Sequence, residues 1–178
     1  MEMEINSETD KKQEQHKKTP IKSLPEFNKT YEQLRKKYNL PEYSFLNENF
    51  EIEILCELET ELLLKRIRKQ LTDKISSGLR ITEMLINPQN GPMFIFNVVR
   101  SFNVDDKSLV NELYKKFAEF EIEAFSLETK YDEKKEAEFI RTVCKEWPEI
   151  SENLEKINKS MKIGFKKDLK DNEKSYFG

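Results

Sequence analysis

The side chains that could do chemistry are few and poorly spaced for it. One histidine, His16, and two cysteines, Cys56 and Cys144, 88 positions apart, are all the imidazole and thiol groups in 178 residues. A zinc site draws on about four such ligands at close spacing, and a di-iron bundle needs Glu-x-x-His pairs that this chain lacks. A nucleophilic cysteine wants a histidine base, and His16 sits far from both thiols in a polar N-terminal stretch. Carboxylates abound, as at Glu119 and Glu123, but a pair on a helix flank is ordinarily solvated. Four glycines, Gly78, Gly91, Gly164 and Gly178, form no Gly-x-Gly loop for phosphate. The expectation is a chain without catalytic residues, metal site, cofactor or small-molecule substrate.

Charge is distributed more tellingly than chemistry. The total of 31 basic against 34 acidic residues gives −3, so nothing draws the whole chain to nucleic acid or anionic lipid. Locally, Lys65, Arg66, Arg68, Lys69, Lys74 and Arg80 stand against the single acid Asp73, whereas residues 119–138 hold eight acids and three lysines. Six cations along a helix could track a phosphate backbone, in RNA or on the ribosome. They could equally pair with the 119–138 acids if two long helices pack antiparallel, each exposed pair adding roughly 0.2–1 kcal/mol. No aromatic residue interleaves the run, which argues against a platform for stacked single-stranded bases.

Apolar periodicity supplies the elements that would carry these charges. Ser23-Leu-Pro-Glu26 reads as a capping box, followed by Phe27, Tyr31, Leu34 and Tyr38 at helical spacing up to Asn39-Leu-Pro41. Residues 44–50 add a turn or two, and Phe50 to Ile54 alternates as an extended connection. A long helix is expected over 57–86, with Leu64, Ile67, Leu71, Ile75, Gly78, Ile81 and Leu85 on one stripe. Asn87-Pro88 and Asn90-Gly91-Pro92 stop it. Residues 93–102 are apolar without a clear period and read as buried helix or strand, with helix favoured. Asp105 or Asp106 caps a second long helix whose Val110, Leu113, Phe117, Phe120, Ala124, Leu127 and Tyr131 keep an unbroken heptad. Asp132 recaps a helix carrying Ala137, Ile140, Cys144 and Trp147, ended by Pro148. A last helix carries Ile150, Leu154, Ile157, Met161 and Phe165.

The segments Glu133-Lys-Lys-Glu-Ala-Glu-Phe-Ile-Arg-Thr-Val-Cys-Lys-Glu-Trp-Pro148 and Leu62-Leu-Leu-Lys-Arg-Ile-Arg-Lys69 resemble an archaeal family of small helical proteins without an established activity. The likeness covers about residues 25–165. It implies a cytosolic, all-helical protein and carries over no catalytic residue.

The sequence therefore predicts an all-α bundle of five to six helices built on two long antiparallel helices, in a single domain over 23–168. Residues 1–22 are expected to form a disordered polar tail, and 169–178 a polar C-terminal one. Two cysteines in a Lys/Glu-rich chain with no recognisable leader suggest reduced thiols and a cytoplasmic location. No apolar run approaches the roughly 20 residues that span a bilayer. The functional expectation is a non-catalytic interaction protein, a homodimer or the partner of another protein. Its contact surface is drawn from the apolar excess at Phe94, Phe96, Val99, Phe102, Phe117, Phe120 and Phe125. The alternative is an RNA- or ribosome-associated factor using the six cations of 65–80.

Overall fold

A helix with one apolar stripe must bury it against another element, and three long helices here do so together. The computed structural model describes residues 24–57 and 62–176, so the expected tail 1–22, the Ser23 cap and the first turn of the 57–86 helix lie largely outside them. The described residues form α1 (Leu24–Tyr38), α2 (Tyr43–Phe50), α3 (Leu63–Ile86), α4 (Met93–Arg100), α5 (Val104–Glu128) and α6 (Glu133–Tyr176), with short 3-10 turns at Ile52–Glu57 and Pro88–Asn90. No strand occurs among them. Residues 93–100 are helix, and 52–57 wind into a 3-10 turn rather than extending.

Contacts between α3 and α5 run in opposite chain order. Arg68 reaches Glu128, Ser76 bonds Glu121, and Gly78 meets Phe117. The two helices are therefore antiparallel. A Cβ on Gly78 would lie 2.5 Å from the Phe117 ring, so the missing side chain is what lets that ring sit against α3. The expected α5 stripe is buried from Val110 to Leu127, but its last member, Tyr131, falls past the end of the helix and is half-buried. On α3 the stripe holds except near its end, where Thr82 is buried and Ile81 is exposed. Thr82 can take the inner position because its hydroxyl is bonded, donating within reach of the Gly78 and Leu79 carbonyls at 3.0 and 2.9 Å.

Helix α6 lies antiparallel to α5, with Phe139 edge-on to Phe120 at 6.3 Å and Ser160 Oγ donating to Asp106 at 2.7 Å. Asp132 accepts from the amides of Lys134 and Lys135, as a recapping residue should. Asn103, rather than either aspartate, is the N-cap of α5, and Asp106 answers it in a reciprocal capping box. The expected break at Pro148 is corrected: α6 runs through it as one helix and continues as helix into the polar stretch after 169. Proline removes one helical donor, but Trp147 and Ile150 on either side are both buried, and that packing holds the two halves in line. At one end α1 and α2 flank α6, with Tyr31 donating to the Pro41 carbonyl at 2.7 Å. At the other end α4 crosses α6, where Gly164 faces Ser101 and the Val98 carbonyl.

Candidate functional site

Three of the six cations of α3, Lys65, Arg68 and Lys69, meet acids of the same chain. Arg68 is 1% exposed and lies on the buried stripe with Leu64, Leu71 and Ile75. Its Nε donates to Glu136 at 2.7 Å and its Nη2 to Glu128 at 2.6 Å. Lys65 adds a contact to Glu128 at 3.2 Å, and Lys69 a longer one at 3.8 Å. These carboxylates belong to the acidic 119–138 block, so antiparallel packing brings the opposite signs together.

The two carboxylates that share Arg68 respond oppositely. Glu128 is partly exposed, and hydrogen bonds from Arg68 and Lys65 hold its carboxyl down to about 2. Glu136 is fully buried, and loss of water pushes its carboxyl up despite the guanidinium beside it. Its second oxygen, Oε1, has no hydrogen-bond partner among the described residues.

Lys74 is held differently. It donates to the Asn49 carbonyl and lies 5.7 Å from the Phe50 ring centre and 5.6 Å from that of Trp147. The Trp147 Nε1 donates to Asn49 Oδ1 at 3.1 Å, so this cluster pins α2 onto α3 and α6. Of the six cations proposed to meet nucleic acid, Arg68 is corrected to an interior residue, because its charge is enclosed by carboxylates. Lys65, Lys69 and Lys74 have the partners just given. Arg66 is half-buried and Arg80 exposed.

The candidate partner surface divides in the same way. Phe102, Phe117 and Phe120 are corrected to core residues, because the chain's own helices cover them, and Val99 is half-buried. Phe94, Phe96 and Phe125 do face outward, the last at 74% exposure. Phe94 packs edge-on against Phe165 with ring centres 6.1 Å apart. Met93 beside it is 83% exposed, and Val104 and Ile163 are exposed at the same end of the bundle. Half of the large apolar side chains left exposed among the described residues lie in 93–104 and 163–165. Those two segments touch where Gly164 meets Ser101.

Burial pushes Cys144 up to about 12, so it is protonated at neutral pH. The sequence gives no hint of the Arg68–Glu136 pair beyond spacing: Arg68 falls at 64, 68, 71, 75, and Glu136 lies one turn before Ile140. Among the described residues no group of three or more His, Cys, Asp or Glu is placed to hold a metal ion, and no helix is long and apolar enough to cross a membrane. No protein-family model matches the sequence, and comparison with curated proteins and with solved structures finds no match to this chain.

Proposed function

We propose that this chain is a non-catalytic helical interaction protein that pairs with a second copy of itself through the end of the bundle formed by α4 and the later turns of α6. The observation that carries the reading is the concentration of exposed apolar side chains at that end, Met93, Phe94, Phe96 and Phe165, with Phe94 packed edge-on against Phe165. Exposed apolar groups gathered on one surface, rather than scattered, mark contact sites in soluble proteins. Aromatic and methionine side chains are also those enriched at interface centres.

Sedimentation velocity from micromolar to millimolar concentration tests it. The intact chain should move toward a dimer as concentration rises. Met93→Asp/Phe96→Asp should stay monomeric with unchanged helical circular dichroism, since both side chains are exposed and neither supports the core. A monomer at every concentration refutes the self-association. An RNA-binding role through α3 loses support from the burial of Arg68 and would fall chiefly to Arg66, Lys69 and Arg80.

A further inference from the structure

A second surface lies on the opposite half of α6. The turn after α1 and the start of α2 border a shallow, open groove of about 520 Å³ against α6. Leu40, Phe45 and Cys144 give it an apolar lining, and Arg141 and Lys145 stand one helical turn apart along it. Neither cation has a carboxylate within ion-pairing distance among the described residues, whereas Lys65, Arg68 and Lys69 of α3 all reach Glu128. Arg141 is held in place from behind, its Nη1 donating to the Tyr38 carbonyl at 3.0 Å. The rest of its donor fork is left to meet a carboxylate, and an anchored guanidinium loses less freedom on doing so. The acid on the far rim, Glu42, is itself tied to Arg35.

We propose that this groove receives a short acidic peptide segment of a partner protein, with an apolar side chain on Leu40, Phe45 and Cys144 and carboxylates on Arg141 and Lys145. The volume falls within the roughly 300–1,000 Å³ of ordinary ligand sites, but such sites enclose most of a small molecule. A trough open along one side cannot do that. A peptide does not need enclosure, because it continues to make contacts beyond the trough. The groove is about twenty residues along α6 from Gly164, roughly 30 Å at the helical rise. It is therefore independent of the self-association surface, and failure of either leaves the other standing.

The test is fluorescence anisotropy of the full chain titrated into a fluorescein-labelled EELFEE peptide, with KKLFKK as the charge-reversed control. The acidic peptide should bind saturably and more weakly as salt is raised, and the basic one should not bind. Lys145→Glu should weaken binding roughly tenfold, the loss of one charge-assisted contact. Arg141→Glu should do at least as much. Because Arg141 also braces Tyr38, Lys145→Glu is the deciding variant: the lysine is exposed and its removal leaves the fold untouched, as the single tryptophan, Trp147, would report by its emission. Absence of saturable binding overturns the proposal, as does equal binding of KKLFKK or an affinity unchanged by Lys145→Glu. Lys145-dependent capture by phosphatidylserine vesicles without peptide binding would assign the groove to a lipid surface instead. A dimer that Lys145→Glu dissociates would assign it to a second copy.

Discussion

Replacing Arg68 with methionine removes the guanidinium between Glu136 and Glu128 while keeping a similar apolar stem. Glu136, fully buried and already short of a partner for Oε1, is then left without its cation. It escapes by taking up a proton on folding. At pH 7, protonating a carboxyl with an unfolded pKa near 4.3 costs about 1.36 × 2.7, or about 3.7 kcal/mol. That agrees with the roughly 3–5 kcal/mol expected for breaking a buried pair from one side. The sign with pH follows from linkage. A carboxyl whose folded pKa is raised destabilises the fold increasingly as pH climbs from the unfolded toward the folded value. Arg68→Met should therefore cost up to about 4 kcal/mol at pH 7, less the part that the raised Glu136 already bears with Arg68 in place, and at most about 1 kcal/mol from Glu136 at pH 5. Arg68→Met/Glu136→Leu should recover most of the loss, since a buried pair replaced by packed apolar groups is often neutral. Urea unfolding followed by Trp147 fluorescence at both pH values reads all of this. A cost below about 1 kcal/mol at pH 7, a loss independent of pH, or a double variant no better than the single one refutes the reasoning.

Two further outcomes follow from the packing. Gly78→Leu should destabilise by at least the roughly 1–3 kcal/mol of an overpacked core, because even a Cβ meets the Phe117 ring at 2.5 Å; thermal unfolding measures it, and a neutral result would mean that α3 and α5 are farther apart. Of the two thiols, Cys56 is half-buried and Cys144 buried and protonated, so a thiol reagent at neutral pH should modify one cysteine in the native chain and two in urea, with Cys144 the protected one by peptide mapping.

The stripes on α3 and α5 are legible in the sequence because each repeats an apolar residue every three or four positions over about five or six turns. Burial of one helix face leaves few other spacings. The pairing of the basic and acidic blocks is legible as one of two readings, since antiparallel packing alone decides which charges meet. Arg68 is the residue that pattern alone places poorly. It occupies a stripe position, but an arginine among six cations reads as surface until its carboxylate partners are known. The phenylalanines are legible in part: Phe117 and Phe120 fall on the α5 stripe and Phe125 beside it, but periodicity does not say whether that stripe is covered by the chain's own helices or by a partner, which the close approach of Phe117 to Gly78 decides. Pro148 reads as a stop by its missing donor, yet α6 passes through it because Trp147 and Ile150 are packed on both sides. The groove beside Arg141 is not legible at all, since its two walls are about a hundred positions apart in the chain.

The account rests on Arg68 of α3 being enclosed by the acids of α5 and α6, with Lys65 and Lys69 beside it on Glu128. The most direct measurement is a proton–nitrogen correlation spectrum of the arginine side chains at pH 7, with cross-relaxation from each Nε proton. Arg68 should give a sharp, slowly exchanging Nε–H with a strong cross-peak to the γ protons of Glu136, unchanged in high salt. A signal for Arg68 that exchanges as fast as that of the exposed Arg80, with no contact to Glu136, would contradict it.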